Sequence, residues 1–519
     1  MRTSRAAFLV AAGILLSRIS GFVQFRVFAH FFGNTDVADA YRAAFRIPNF
    51  LQNLFGEGVL SASFIPVYSR LLAEKKEEEA NQVAGAIASL LVLVTSVLVL
   101  LGVLAAPWLI DAIAPGFHGE KRELTVHLVR IFFPGAGLLV MSAWCLGILN
   151  SHRHFFISYA VGALFNAAII VTLLAFGHSY KDALPQLAVY AAWGAVVGSG
   201  LQVAFQLPVV LRLARGLRLS AQWSSESSRT IVRNFVPVFI SRGVVQITAY
   251  IDSFIASFLP TGAVAALAYA QSLYMLPVSL FGMSVSAAEL PAMSSALGSD
   301  EEIAAQLRAR LTSAMRQIAF FVIPSVIAFL ALGDVIVGAI YQTGKFTRTD
   351  TIFVWTVLAG SSVGLLASTL GRLYSSTFYA LRDTKTPLRF AIVRVTLTTV
   401  LGYLAAIPLP HALHIDPRWG VAGLTASAGV AGWVEFILLR SAADKRIGQH
   451  AALGVHFAKL WGCAIVGGAI GFGLKLLTGH THPIVTAVVV LGVYGVTYLG
   501  LTTLLGVPEA QGALQRLRR

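Results

Sequence analysis

The chain has 519 residues, of which 56% are hydrophobic and only 12% are charged, and its mean hydropathy is +0.75. That composition lies outside the range of soluble globular domains and predicts a polytopic membrane protein. The net charge of +15 does not indicate nucleic-acid binding, because the Lys and Arg residues lie at alternate loops rather than on one basic face. Cys145 and Cys463 both fall within apolar stretches and give no support for a disulfide framework.

The apolar stretches, taken in chain order, predict an all-α integral membrane protein with about 14 transmembrane helices. Each stretch has roughly 20 residues or more, the length that a helix needs to cross the hydrocarbon core. The loops between them are short and polar, so almost the whole chain is expected to lie in the membrane. The expected helices lie near residues 6–31, 38–69, 83–113, 123–150, 154–177, 185–213, 229–258, 262–296, 306–332, 352–380, 386–408, 418–440, 453–476 and 483–506.

The first predicted helix carries arginines inside its apolar run. The opening Met-Arg-Thr-Ser-Arg resembles the start of a secretory signal, but no small-residue cleavage site follows before Arg18, so we expect an uncleaved span. Arg18 and Arg26 lie about 80° apart on the helical wheel. A charge at the bilayer centre costs at least about 2.5 kcal/mol. Arg18 is therefore expected to face other protein groups or a water-filled cavity.

The second predicted helix carries a charged stripe along one face. At about 100° per residue, five polar residues fall within about 60° of one another over roughly 27 Å of helix. So many polar groups on one face predict a water-filled cavity or a protein-facing surface. Pro48 is expected to kink the helix, and Asn49 beside it is a further candidate ligand. The charged stripe consists of Asp39, Arg42, Arg46, Asn53 and Glu57.

The seventh predicted helix repeats the context of the first. Ser241-Arg242 echoes Ser17-Arg18, and Gln246 lies one turn beyond Arg242 on the same face. This echo favours two six-helix lobes in the same orientation, a parallel repeat found in some transporters. The expected domains are an N-terminal lobe at 1–222, a C-terminal lobe at 223–447, and two C-terminal helices with a basic tail at 448–519.

The arginines within these helices predict an anionic ligand. A guanidinium group binds phosphate oxygens in pairs and stays charged at any working pH, so a pyrophosphate is a natural ligand. For each arginine a structural ion pair with Asp39, Glu57 or Asp252 stays open as the alternative. The candidate substrate ligands are Arg18, Arg26, Asp39, Arg42, Arg46, Asn49, Asn53, Glu57, Arg242 and Gln246.

The sequence lacks the motifs of ATP-driven transport and of hydrolysis. It contains neither a Walker A sequence nor a Gly-x-Ser-x-Gly elbow. His152 with His154, and His480 with His482, have no third metal ligand close in sequence. We therefore expect a transporter rather than an enzyme, without cofactor or metal, whose energy comes from an ion gradient, the membrane potential or the substrate gradient.

The loop charges predict the orientation of the chain. Basic residues concentrate at both termini and at alternate loops, as in residues 212–233, 382–389 and 440–446, whereas the opposite loops carry few. Short loops rich in Lys and Arg stay on the cytoplasmic side. Both termini are therefore expected to be cytoplasmic.

Several short motifs occur together in one known family. They are Ser17-Arg18-Ile-Ser-Gly-Phe, Phe32-Gly33, Asp39-Ala40, Ala44-Phe45-Arg46-Ile47-Pro48-Asn49, Phe55-Gly56-Glu57-Gly58, Phe64-Ile65-Pro66 and Phe378-Tyr379-Ala380-Leu381-Arg382-Asp383-Thr384-Lys385-Thr386-Pro387. With these motifs the chain resembles the MurJ (MviN) family, the lipid II flippases of the multidrug/oligosaccharidyl-lipid/polysaccharide exporter superfamily. The resemblance is free of gaps over roughly the first 70 residues.

The resemblance implies two lobes around a cationic cavity that holds the pyrophosphate and sugar head group of undecaprenyl-linked peptidoglycan precursor, lipid II. It further implies alternating access from the cytoplasmic to the outer leaflet of the bacterial inner membrane, and a groove for the lipid tail at the last two helices. Membrane lipids and cell-wall synthesis enzymes are the implied partners, with no nucleic acid. Arg18, Asp39 and Glu57 match family positions and Arg46 matches a basic one. Gating or structural roles are expected for Pro48, Glu289, Arg382 and Asp383.

The sequence also departs from the family pattern. Residues expected to be charged are replaced at Gln24, Gln52, Ser272 and Met275. We expect Arg26, Arg42 and Arg242 to supply the missing positive potential from neighbouring positions. A flippase for another polyprenyl-pyrophosphate glycan, such as an O-antigen unit, stays open as an alternative. A cation-coupled multidrug exporter is a second alternative, although such a protein should favour an acidic, aromatic cavity.

Overall fold

The computed structural model describes residues 2–55, 57–217, 229–233, 235, 250–295, 299–449, 453–478 and 481–517, with side chains from residue 12 onward except at 57–59, 61–62 and 513–517. Throughout these ranges the regular secondary structure is helical, without a strand. The predicted all-α integral membrane fold is confirmed, and the candidate spans given below are compatible with the expected number of about 14. Residues 218–228 and 236–249, which include Arg242 and Gln246, lie outside the described part.

The first half of the chain contains nine described helices in addition to a short helical stretch at residues 229–233. Their lengths range from one and a half turns to ten turns, and prolines occur inside several of them. They are α1 (Arg2–Phe32), α2 (Asp36–Phe55), α3 (Glu57–Ala73), α4 (Glu77–Ile113), α5 (Gly119–Ser151), α6 (Phe155–Ala160), α7 (Gly162–Phe176), α8 (Leu184–Leu213) and α9 (residues 250–257).

The second half continues with helices that begin at α10. They are α10 (Ala263–Pro277), α11 (Ser284–Ser294), α12 (Asp300–Ala331), α13 (Gly333–Tyr341), α14 (Arg348–Ser362), α15 (Leu365–Ala380), α16 (Lys385–Ala406), α17 (Pro408–Ala412), α18 (Gly420–Ile447), α19 (Gly454–Leu477), α20 (Pro483–Leu504) and α21 (Pro508–Leu517). A π-helical segment, Val278–Met283, joins α10 to α11, and a 3-10 turn, Pro417–Trp419, precedes α18.

Eleven of the described helical segments are long and apolar enough to span a membrane, and α14 with α15, bent by 40° at the break between them, makes a twelfth if the pair is counted as one span. Half of the predicted span at 229–258 lies outside the described residues. Within the predicted helix at 38–69 the structure describes α2 up to Phe55 and α3 from Glu57. Gly56 lies outside the described residues, so the continuity of that helix stays a prediction.

The chain forms two compact units. The first, unit 1, comprises Met1–Ala265 together with the four residues Thr343–Phe346. The second, unit 2, comprises Ala266–Gln342 and Thr347–Arg519. The expected domain boundaries at 222 and 447 stay a prediction.

Unit 1 has its core where α2, α3, α4 and α5 meet. Phe64, Tyr68 and Trp144 are fully buried there, among aliphatic side chains. Close packing of rings of this size accounts for much of the burial in a helical bundle. Large apolar side chains on the outer face of α4, among them Leu100 and Trp108, are exposed, as expected where a helix faces lipid.

Unit 2 ties α20 to α12 through two tyrosine hydroxyls. Pro324 lies inside α12 and has no N–H, so the carbonyl of Phe320 lacks its normal partner within the helix. The Tyr498 hydroxyl donates to that carbonyl at 2.7 Å, and the Tyr494 hydroxyl donates to the carbonyl of Pro324 at 2.7 Å. In a membrane interior an unpaired carbonyl is costly, so these bonds fix α20 against α12.

Candidate substrate-binding site

Arg42 is packed between two aromatic rings of α1. Its Cζ atom lies 4.1 Å from the ring centroid of Phe25 and 4.1 Å from that of Phe28. Its Nε and Nη2 atoms are buried. Cation–π contacts of this kind are worth more when desolvated. Arg42 therefore supplies a fixed positive charge and also joins α2 to α1.

Arg46, one turn further along α2, contacts α9. Its Cζ atom lies 5.9 Å from the ring centroid of Tyr250, and its carbonyl accepts a 2.8 Å hydrogen bond from the Tyr250 hydroxyl. Asp252 attracts the Arg46 charge electrostatically. The sequence suggested Asp252 as a partner for a membrane arginine, but it gave no sign of Tyr250.

Asp39 is a fully bonded carboxylate at the start of α2. Its Oδ1 accepts from the backbone N–H of Ala265 at 2.7 Å, and its Oδ2 accepts from the N–H of Gly262 at 2.8 Å. The ammonium group of Lys121, on α5, donates to Oδ2 at 2.7 Å. Backbone N–H groups at a helix start favour an anion, so Asp39 caps the first turn of α10.

A second carboxylate, Asp36, extends this cluster. It accepts from Lys121 at 2.7 Å and from the Thr261 hydroxyl at 3.0 Å. Asp36 is half exposed, whereas only 1% of the Asp39 side chain is exposed. Lys121 lies 82 residues from Asp39 along the chain, so the sequence gives no local signal for this pair.

The charged stripe is not one continuous surface. Asp39 is buried, Arg42 and Arg46 are partly buried, and Asn53 is exposed. Glu57 is the first described residue of α3, and its side chain lies outside the described residues, so its place on the charged stripe stays a prediction.

The remaining candidates in unit 1 lie in varied surroundings. Arg18 is exposed on α1 and Arg26 is partly buried. Pro48 is buried inside α2, and Asn49 beside it is partly buried. Pro48 and Asn49 line a small, mainly apolar gap together with Phe45 and Phe132. Their roles as ligands, and those of Arg242 and Gln246 outside the described residues, stay predictions.

Two of the positions that depart from the family pattern are occupied by packed polar groups. Gln24 is buried on α1. The Ser272 hydroxyl lies 2.5 Å from the Tyr341 hydroxyl and donates to the carbonyl of Tyr269 at 2.8 Å. Such satisfied hydroxyls stabilise the contact between helices inside unit 2. Gln52 and Met275 are partly buried.

The candidate gating residues of unit 2 make local contacts. Glu289, on α11, accepts from Arg310 of α12 at 3.4 Å. Asp383 accepts from the N–H groups of Lys385 and Thr386, both at 3.0 Å, and from the Thr386 hydroxyl at 2.7 Å. The hydrogen bonds from Thr386 lower the pKa of the Asp383 carboxyl. Asp383 therefore caps α16, and the exposed Arg382 before it has a left-handed φ of 60°.

Comparison with known proteins places this arrangement in a family. The sequence profile of the family described as "Lipid II flippase MurJ" matches residues 28–493. The chain belongs to the MurJ family. This confirms the resemblance drawn from the motifs, and with it the expectation of a multi-pass membrane transporter rather than an enzyme.

Curated relatives match over most of their length. A probable lipid II flippase MurJ of Rickettsia prowazekii is 31% identical over 458 residues, which cover 88% of this chain and 86% of the relative. The lipid II flippase MurJ of Burkholderia cenocepacia is 29% identical, covering 86% of this chain and 84% of the relative.

Solved structures share the fold. A structure titled as the lipid II flippase MurJ in an inward closed conformation matches with a TM-score of 0.76 at 22% identity, over 96% of this chain and 98% of that one. An inward-facing transporter of the multidrug resistance MATE family matches with a TM-score of 0.65 at 17% identity, over 86% of this chain and 100% of that one. Both likenesses establish the all-helical architecture.

Proposed function

We propose that this protein translocates lipid II from the cytoplasmic to the outer leaflet of the bacterial inner membrane by alternating access. The observation that carries the proposal is the family match over residues 28–493. The names of the curated relatives from Rickettsia prowazekii and Burkholderia cenocepacia, both described as lipid II flippases, support it. Undecaprenyl-pyrophosphate-linked peptidoglycan precursor is then the substrate.

Arg46 is the arginine of α2 that we propose as a pyrophosphate ligand. Arg42, with two buried guanidinium nitrogens between Phe25 and Phe28, acts as a fixed cation that raises the local positive potential. Arg46 has a longer contact with its aromatic neighbour, at 5.9 Å, and its side chain is partly exposed. A partly exposed guanidinium keeps in-plane N–H donors for phosphate oxygens. Arg18, exposed on α1, is the second proposed ligand.

The proposed orientation has both termini in the cytoplasm. It is supported by the loop charges, because Lys and Arg concentrate at the loops on the side of the termini. We further propose that the membrane potential or an ion gradient drives the cycle. A unit charge that crosses the membrane couples to about 2.3 kcal/mol per 100 mV, which is enough to bias a conformational equilibrium. Cell-wall synthesis enzymes are the proposed partners.

The function is tested by complementation of a strain depleted of its own lipid II flippase. Wild-type protein should restore growth and cell shape, and Arg46→Ala should fail although it reaches the membrane in the same amount. Arg46→Lys, which keeps the charge but loses the planar fork, should rescue only partly. Failure of the wild type at normal membrane levels would contradict the proposal and favour another polyprenyl-linked glycan.

A further inference from the structure

Unit 2 contains a polar cavity at the ends of α13, α14, α19 and α20. Its volume is about 310 Å³, and its lining includes Asp334, Gln342, Arg348, Lys475 and Thr486. A cavity of this size holds a phosphate group together with several waters. None of these residues belongs to the candidate substrate site in unit 1.

Asp334 is the buried anchor of this cavity. Only 2% of its side chain is exposed, and both of its oxygens are bonded. Lys475 donates to Oδ1 at 2.8 Å, and Arg348 donates to Oδ2 at 2.8 Å. Two cations therefore share one carboxylate, which leaves a net positive charge on the cavity wall.

The cavity also has an excess of donors. The Lys475 ammonium group, held over the rings of Trp355 at 5.3 Å and Phe472 at 4.8 Å, has three N–H donors and gives one to Asp334. Gln342 uses its carbonyl oxygen to accept from the Thr351 hydroxyl at 3.3 Å, so its amide N–H groups stay available. A net charge and donors without matching acceptors favour an anion.

The position of the cavity favours a lipid phosphate. Lys475 lies in the last turn of α19, and the residues that follow it, Leu476 and Leu477, are largely exposed apolar side chains. Lysine at the end of an apolar helix lies at the level where a bilayer changes from hydrocarbon to head groups. Phosphate groups of lipids lie at this level.

We propose that Lys475 and Arg348 bind the phosphate of a lipid head group in this cavity, with Asp334 holding the two cations in place. The shared chemistry is a phosphate oxygen accepting charge-assisted hydrogen bonds from ammonium and guanidinium groups. The phosphate belongs either to an anionic membrane phospholipid or to a polyprenyl pyrophosphate. The proposal does not depend on the unit 1 site.

The test measures binding of two probes to the purified full-length protein in detergent, phosphatidylglycerol by native mass spectrometry and inorganic pyrophosphate by calorimetry. Lys475→Gln should lower the affinity for whichever probe binds the wild type by about tenfold, because a charged hydrogen bond is lost. Arg348→Gln should weaken it severalfold. Arg122→Gln is the matched control, since Arg122 also pairs with an aspartate, Asp111, near a helix start in unit 1, and it should change nothing.

Arg348→Gln and one further variant, Asp334→Asn, keep the test decisive. Arg348→Gln retains the Lys475–Asp334 pair, so it reports on binding even where Lys475→Gln unfolds the protein. Asp334→Asn removes the competing carboxylate and should tighten binding, whereas a purely structural triad would show no gain.

The two probes distinguish the two sources of phosphate. If the Lys475→Gln and Arg348→Gln variants lose binding of phosphatidylglycerol alone, the site is assigned to membrane phospholipid. If they lose binding of pyrophosphate alone, it is assigned to a polyprenyl pyrophosphate. Wild-type affinity for both probes in Lys475→Gln and Arg348→Gln would overturn the proposal.

Discussion

The Asp39 carboxylate ties three segments of unit 1 together. It bonds two backbone N–H groups, at Gly262 and Ala265, and the Lys121 ammonium group. The sequence predicts Asp39 as a candidate substrate ligand, and the structure shows that its carboxylate caps the first turn of α10. Whether Asp39 also meets substrate stays a prediction. Its burial makes the capping role directly measurable.

Asp39→Asn should lower stability markedly. The amide would place an N–H group against the N–H of Gly262 or the ammonium of Lys121, which leaves a buried donor unsatisfied at a cost of about 1 to 3 kcal/mol. Thermal unfolding of the full chain in detergent should show a melting temperature several degrees lower. Asp36→Asn, at the half-exposed partner of the same lysine, is the control and should change stability little. Equal effects of the two variants would contradict the capping role.

Asp383 should stabilise the protein by capping the start of α16. A helix cap of this kind contributes about 1 kcal/mol, so Asp383→Ala should lower the melting temperature at neutral pH, while Asp383→Asn should retain part of the cap. Because the hydrogen bonds from Thr386 lower the pKa of the folded carboxyl, its stabilisation is present above the unfolded pKa of about 3.8 and is lost as the pH falls through the lower folded value.

The pH dependence of Asp383 is measurable as a difference between variants. The gap in melting temperature between wild type and Asp383→Ala should be constant from pH 7 to pH 5 and should close as the pH drops below about 4. A gap that persists unchanged to pH 2 would show that the charged carboxylate is not the stabilising species.

At the scale of elements, the segment Thr343–Phe346 is the clearest feature that pattern reasoning missed. It belongs to unit 1, whereas the residues on either side of it belong to unit 2. The N–H of Lys345 donates to the carbonyl of His30 at 2.8 Å, and the His30 ring bonds the Thr343 hydroxyl at 2.9 Å. The Lys345 ammonium also donates to the carbonyl of Lys181. These bonds hold the segment, here called the strap, against α1 and the loop before α8 within unit 1.

Gly344→Ala should loosen this strap. Gly344 has a φ of +54°, and a Cβ there would lie 2.3 Å from the carbonyl oxygen of His30, a backbone atom that cannot yield easily. Hydrogen exchange at the Lys345 amide should therefore speed up by an order of magnitude or more. Gly119→Ala is the matched control, because Gly119 has the same φ of +54° with no atom within 4 Å of its Cβ. Equal protection in Gly344→Ala and wild type would contradict the strap.

Helices were predictable from the sequence because length and apolar content suffice to recognise a span. α4, α5 and α20, for example, match the predicted segments to within a few residues at most of their ends. What the sequence could not supply were partners distant along the chain. The Tyr498 hydroxyl that satisfies Phe320 lies 178 residues away, and Lys121 lies 82 residues from Asp39. Neither pairing leaves a periodic signal, because it depends on how helices meet.

The same limit explains the partial success at the candidate site. Arg42 and Arg46 were recognised because charges within an apolar run are costly and therefore conspicuous. The rings that hold them, Phe25, Phe28 and Tyr250, are ordinary aromatic residues in apolar helices and carry no such mark.

For the whole molecule, the loop charges predict a specific sidedness. Single cysteines at Glu301 and Arg418, both exposed, would lie on opposite sides if both termini are cytoplasmic. A membrane-impermeant thiol reagent added to intact cells should label Arg418→Cys but not Glu301→Cys until the membrane is permeabilised. The native Cys145 and Cys463 are buried, which keeps the background low. Labelling of Glu301→Cys in intact cells would reverse the proposed orientation.

The most direct measurement is lipid II translocation in cells depleted of their own flippase that express this protein. We predict that the wild type restores delivery of lipid II to the outer leaflet and that Arg18→Ala and Arg46→Ala lose most of it, at equal membrane abundance. Collapse of the membrane potential should slow the wild type if the potential drives the cycle. Wild-type protein that is abundant in the membrane but leaves lipid II in the inner leaflet would contradict its assignment as a lipid II flippase.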